Sequence, residues 1–174
     1  MSVESLKESM RTVPDFPRKG ILFWDITTLL KDPAALHEAA DLMYEIYKDK
    51  GITKVAGLES RGFMLGAILA DRIGAGFVMI RKPGKLPAET IRVSYEKEYG
   101  TDSLEIHKDA IGPDDVVLLH DDLLATGGSM CAGIDLVKAL HPKKLMLNFL
   151  VEIEDLKGRD KFPADVEVNS VIKV

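Results

Sequence analysis

The chain has 174 residues, 46% of them hydrophobic, and a formal net charge of −5. That length and apolar content suit one domain with a sizeable core and exclude extended disorder. The acidic balance excludes a general nucleic-acid binder but leaves room for a small anionic ligand held by a local cluster of Lys and Arg.

The opening "MSVESLKESMRTVPDF" lacks the apolar run of a secretory signal. Its "SVESLKESMRTV" reads as a short helix before Pro14, and "DFPRKGILFWDITTLL" as a loop and an irregular extended stretch. "KDPAALHEAADLMYEIYKDKG" carries helix signals: Asp32 as N-cap, Pro33 at the first position, Gly51 as the stop, and Leu36, Ala40, Met43 and Tyr47 on one face. "TKVAGL" reads as a strand, "SRG" as a turn, "FMLGAILADRIG" as a helix and "GFVMI" as a strand. "RKPGKLP" is a basic loop, and "TIRVSYEKEYGTDSLEIH" a β-hairpin. After the turn "GPDD" come the strand Val116 to His120, ended by Asp121 and Asp122, the helix "SMCAGIDLVKALH", the strand "KLMLNFLVEI" and a last strand, "EVNSVIKV", suited to an edge.

Strands alternating with helices call for an α/β fold: a central, mostly parallel twisted sheet flanked by helices. No repeat or linker-like tract divides the chain, and no apolar run approaches the roughly 20 residues of a membrane span. The single cysteine, Cys131, allows no internal disulfide and suits a reducing compartment. A cytoplasmic protein is the expectation, with no nucleic-acid or membrane partner. Cys131 is read as a packing residue, and His120 receives no role.

Ligands bind such sheets beyond the carboxyl ends of the strands, near a topological switch point. "GLESRG" and "HDDLLATGGS" fall at such ends. Adjacent carboxylates cannot share one face of a regular strand, and an ionised one is too costly in a core without partners. Asp121 and Asp122 therefore belong at the open end. Thr126, Gly127, Gly128 and Ser129 follow: glycines admit close backbone approach, hydroxyls add donors, and a helix N-terminus aims its amides at the same place. That suits a phosphate monoester, with the acids on sugar hydroxyls or on a magnesium ion bound to phosphates. A ribose 5-phosphate satisfies both.

An apolar strand, two acids and then "LLATGGS" resembles the phosphoribosyl diphosphate signature of the type I phosphoribosyltransferases, in the form found in the adenine-using branch. "PDFPRKGILFWDIT", "GLESRGF", "IRKPGKLP", "YEKEYGTDSLEIH" and "LKGRDK" resemble further segments of that family in order, over nearly the whole chain.

The resemblance implies a type I phosphoribosyltransferase fold in one domain, with an N-terminal hood at about 1–32 and a β-hairpin flap at about 84–107. It implies a magnesium-dependent pentosyltransferase of purine salvage. Ribose 5-phosphate passes from 5-phosphoribosyl 1-diphosphate to adenine, giving AMP and pyrophosphate. Ala125, Thr126, Gly127, Gly128 and Ser129 would hold the 5-phosphate. Ser60, Arg61, Arg81, Lys82 and Lys85 would hold the diphosphate, some of the basic-loop residues serving a partner subunit in a homodimer. Leu22, through its backbone, and Phe23, by stacking, would hold adenine. Glu98 would act on the purine nitrogens, with Glu96 and Glu105 as neighbouring competitors. Asp121 and Asp122 would hold the ribose hydroxyls, and Mg²⁺ would be held mainly through substrate, with one of these acids as a ligand. Trp24 stands where relatives often carry a basic residue, so this position would offer the ligand no charged contact.

Rival readings are a relative using another base, a non-catalytic nucleotide-sensing regulator, and a generic phosphosugar-binding domain. The first differs only in hood and flap. The second lacks a visible DNA-binding segment, and the third leaves the basic loop and flap without purpose.

Overall fold

Residues 2–97 and 99–174 are described by a computed structural model. Helix α1 (Val3–Ser9) opens at Ser2, whose hydroxyl accepts from the Ser5 amide at 3.2 Å. It ends before the expected point, because Arg11–Pro14 forms a strand, β1, paired antiparallel with β2 (Leu22–Asp25). The stretch expected to stay extended then coils into a short helix, α2 (Thr27–Leu30). Asp25 causes this: its Oδ1 accepts from the Thr27 amide at 2.9 Å and the Thr27 hydroxyl at 2.7 Å, turning the chain. Helix α3 (Pro33–Tyr47) starts as expected, with Asp32 accepting from the Ala35 amide at 2.8 Å. It buries Ala35, Ala39, Ala40, Met43 and Tyr47, while Leu36 is only half-buried at the margin.

Strand β3 (Lys54–Leu58), helix α4 (Gly62–Ile73) and strand β4 (Gly76–Ile80) follow, with Gly74 supplying the left-handed turn at φ 72°. Strands β5 (Thr90–Lys97) and β6 (Gly100–His107) pair as an antiparallel hairpin. Then come β7 (Val116–Leu124), α5 (Gly128–Ala139), β8 (Lys144–Glu152), two short 3-10 turns (Glu154–Leu156 and Gly158–Lys161) and β9 (Glu167–Lys173).

The central sheet runs β4-β3-β7-β8-β9, every neighbouring pair parallel, with β9 at an edge. The chain moves from β3 to β4 on one side and then crosses to β7 on the other. The switch point thus lies between β3 and β7, where "GLESRG" and "HDDLLATGGS" meet. Strand alternation splits the core in two. Val55, Leu118, Met146 and Leu150 pack with α1, α3 and α4, and Ala56, Leu119, Leu147 and Phe149 with α5 and the hairpin.

β7 does not end at the acids. It continues to Leu124 because β8 keeps pace beside it, with Leu123 opposite Val151 and Leu124 opposite Glu152. The carboxylates therefore sit on paired strand backbone rather than in a loop.

The hood is tied down by charge. Asp25 lies below its ordinary 3.8, at about 2, through the Thr27 hydroxyl first and the Arg11 guanidinium next, whose Nε donates to Asp25 at 3.0 Å. A depressed carboxylate pKa stabilises the fold above the unfolded value and loses that contribution as pH falls. Asp25→Asn should be less stable than the parent near neutral pH, with the gap closing between pH 3.8 and about 2 in urea midpoints. A gap unchanged across that window would contradict the ion pair's role.

Candidate active site

The chain between β3 and α4 reaches the switch point first. Gly62 opens α4, and a Cβ there would lie 2.8 Å from the His120 carbonyl and 3.3 Å from Asp121 Oδ1. Its bare backbone lets the first turn of α4 abut the acid-bearing end of β7. Arg61 then points across to Asp122, Nε to Oδ2 at 3.2 Å, with Asp122 almost fully buried and Asp121 half-buried. The contact is not aligned as a hydrogen bond, so Asp122 Oδ2 keeps an unused acceptor. Asp121 Oδ1 accepts from the Asp122 amide at 2.9 Å.

Both acids are raised above the ordinary carboxylate range, chiefly by desolvation. For Asp121 the neighbouring Asp122 charge adds to the rise; for Asp122 the Arg61 charge opposes it. His120, just before them, is fully buried and held down to about 4 by desolvation, so it is neutral at physiological pH. Its Nδ1 lies 2.7 Å from Asn148 Oδ1, as befits a core histidine rather than a proton carrier.

Beyond β7 the loop Ala125–Ser129 turns through Gly127 at φ 83° into α5. No side chain caps that helix, so its first amides remain available to a ligand. Ala125, Thr126, Gly127, Gly128 and Ser129 all line a cavity of about 190 Å³. It adjoins a larger one of about 700 Å³, bordered by Glu59, Ser60, Arg61, Tyr95, Glu96, Lys97, Asp121, Asp122, Thr126, Gly128, Ser129 and Lys161. A third space, about 370 Å³ and mostly apolar, lies between Val13, Phe16, Phe23, Asp25, Ile26, Thr27 and Arg61. Phe23 meets Phe16 edge-on at 5.0 Å, and the Arg61 guanidinium lies 5.9 Å from the Phe23 ring centroid. Arg61 borders all three spaces.

Of the residues singled out in the sequence, Ser60, Arg61, Asp121, Asp122 and the whole loop Ala125–Ser129 thus converge, and Phe23 joins through Arg61. Leu22 is half-exposed and borders none of these spaces. Arg81, Lys82 and Lys85 also stay out of them. Acids hold two of these cations back: Glu59 accepts from Arg81 Nε at 3.2 Å and the Lys82 amide at 2.7 Å, and the Lys82 ammonium pairs with Asp102. Glu98 lies outside the described residues. Glu105 is no competitor for its role, being buried and gripped by Arg92 through Nε at 2.9 Å and Nη2 at 2.7 Å. The sequence reading missed Glu59, Tyr95, Lys97 and Lys161 as cavity residues. Alternation along the hairpin could have found Tyr95 and Lys97, since the same face carries Val93 against the core. The hood also touches the flap tip, where Arg18 Nη1 donates to the Tyr99 hydroxyl at 2.7 Å.

An anion-binding loop, buried paired acids and an adjoining apolar slot at the switch point of a parallel sheet define a protein that handles a phosphorylated sugar beside a flat apolar group. The phosphoribosyl transferase domain model matches residues 25–172. The adenine phosphoribosyltransferase of Bacteroides thetaiotaomicron is 63% identical over 99% of this chain and 98% of its own. The adenine phosphoribosyltransferase structure from Rhodothermus marinus matches at TM-score 0.92 and 49% identity, over 99% of this chain and 98% of that one. The APRTase from Giardia lamblia complexed with 9-deazaadenine matches at 0.94 and 45%, over 100% and 98%. The chain belongs to the phosphoribosyltransferase family.

Because the Asp121 carboxylate is raised by burial and by Asp122, its charged form costs folding stability at neutral pH. Asp121→Asn keeps the acceptor for the Asp122 amide and should raise Tm by roughly 2–4 °C at pH 7 in metal-free buffer. The gain should shrink as pH falls into the range where the acid is protonated in both states. A lowered Tm in differential scanning calorimetry would contradict the electrostatic reading.

Proposed function

We propose that the protein transfers the 5-phosphoribosyl group from phosphoribosyl diphosphate to adenine, releasing AMP and pyrophosphate, as a purine-salvage enzyme. One observation carries this: Arg61 stands at the junction of the acid-lined cavity, the phosphate loop and the apolar slot of Phe23. A sugar anchored at Thr126–Ser129 with its ring over Asp121 and Asp122 turns its C1 toward that junction, where a base stacked on Phe23 can meet it. The names of the relatives support adenine as that base.

The bond from C1 to the diphosphate oxygen breaks, the bond from C1 to the purine N9 forms, and the N9 proton leaves. Asp121 and Asp122 bind the 2′ and 3′ hydroxyls and set negative charge beneath the sugar as C1 becomes cationic. The loop amides and hydroxyls hold the 5-phosphate, a remote handle whose binding energy orients the reacting carbon. Ser60 and Arg61 face the departing diphosphate. Glu98, next to Lys97 in the sequence, is our candidate for the group that accepts the purine proton. The hairpin supplies a lid against water through Tyr95 and Glu96 on the cavity wall.

The donor set suits magnesium. Among the described residues no cluster of three or more His, Cys, Asp or Glu could cage an ion alone. Two adjacent carboxylates, one with an unused acceptor, match an ion shared with substrate phosphates. Asp121 or Asp122 would hold it, and when bound it would neutralise charge on the diphosphate.

We also place the protein in the cytoplasm as a homodimer; among the described residues no helix is long and apolar enough to cross a membrane. Arg81, Lys82 and Lys85, which border none of these cavities of their own chain, would be the residues offered to the partner's site.

Pyrophosphate release should be measured with phosphoribosyl diphosphate, Mg²⁺ and each purine in turn. Adenine should be strongly preferred, and EDTA should abolish release; preference for a 6-oxopurine would overturn the assignment. Asp122→Asn should cut turnover by about 100-fold or more while the circular-dichroism spectrum stays that of the parent.

A further inference from the structure

Three side-chain cations border the large cavity: Arg61, Lys97 and Lys161. Arg61 is paired with Asp122 and Lys97 with Asp102. Lys161 alone of the three has no carboxylate within ion-pair distance among the described residues. Its ammonium, on the border of a cavity that also carries four carboxylates, is the cation there left free to meet an incoming anion.

The turn that carries it is built against the phosphate loop. A Cβ on Gly158 would lie 2.3 Å from the Ala125 carbonyl, and one on Gly127 would lie 2.8 Å from the Gly158 carbonyl. The two backbones therefore touch, and glycine on each side allows it. Arg159 bolts the turn to the sheet, donating to Glu152 Oε1 from Nε at 3.0 Å and to the Val168 carbonyl from Nη1 at 2.8 Å. Phe162 stacks on Phe149 with ring centroids 6.0 Å apart. The Cys131 thiol, in the first turn of α5, reaches the Lys161 carbonyl at 3.8 Å. Lys161 thus borders the large cavity together with Thr126, Gly128 and Ser129, outside the smaller one that the whole loop lines.

The loop itself offers only neutral amides, hydroxyls and the partial charge of a helix end. A phosphate monoester carries about −1.5 to −2 charges near pH 7. "ATGGS" has no cation of its own to meet that charge.

We propose that Lys161 is a further substrate-binding residue, supplying the side-chain charge for the 5-phosphate of phosphoribosyl diphosphate and of the nucleotide product. The inference rests on the phosphoribosyl-transfer reading and adds a charge to its phosphate site. Lys161 is exposed, and Lys161→Met removes only the ammonium. A neutral methionine keeps the fold and a guanidinium restores the charge, so Lys161→Met and Lys161→Arg separate charge from packing.

The test titrates ribose 5-phosphate, AMP and pyrophosphate, each with Mg²⁺, into the parent and both variants by calorimetry, alongside steady-state kinetics. In Lys161→Met, the Kd for ribose 5-phosphate and AMP and the KM for phosphoribosyl diphosphate should each rise about tenfold or more. The pyrophosphate Kd and the adenine KM should stay within about threefold of the parent. Lys161→Arg should recover most of the lost affinity. Unchanged ribose 5-phosphate binding in Lys161→Met, or an equal loss for pyrophosphate, overturns the assignment and leaves the transferase reading intact. A parent protein that binds neither ribose 5-phosphate nor AMP overturns both.

Discussion

Two carboxylates on consecutive residues of a core strand, with a single arginine leaning on one of them, set the terms for everything around them. Desolvation raises both acids, and among the described residues the Arg61 guanidinium, 3.2 Å from Asp122, is the cation paired with them. Such a site is poorly satisfied by the protein alone. Hydroxyl donors, a cation or a developing positive charge arriving from outside relieve it. The fold gives up stability here so that a ligand can return it.

The sheet makes this possible. β7 carries the acids past the point where β3 stops, because β8 stays paired with it to Leu124. The divergence of β3 and β7 opens the space, Gly62 brings α4 against one side, and Gly127 turns the chain into α5 on the other. Hood and hairpin are peripheral two-stranded ribbons. The hood presents Phe23, and the hairpin brings Tyr95 to Lys97 over the cavity.

Much of this was legible in the residues. The alternation of strands and helices, the N-cap at Asp32 and the loop Thr126–Ser129 all carry local chemistry that reads the same in sequence and in space. What escaped depended on partners far along the chain. No local signal tells β7 to continue through two acids; β8, some 28 residues on by the pairing of His120 with Asn148, decides it. That Arg81 and Lys82 stay out of their own chain's cavity follows from Glu59 and Asp102, residues distant in sequence that hold them. Thr27–Leu30 looked extended until the Asp25 side chain was seen to fold it. "LKGRDK" resembled a family segment without a role for Lys161; the backbone contact of Gly158 with Ala125 gives it a place.

The central claim is that the end of β7 and the start of α5 together hold a ribose 5-phosphate, with the acids under the sugar. A crystal structure of the protein with AMP tests it most directly. The phosphate should accept from the amides of the Thr126–Ser129 loop, the ribose hydroxyls should donate to Asp121 and Asp122, and the adenine should lie against Phe23. A well-ordered nucleotide bound elsewhere, with this loop and both acids free of it, would contradict the account.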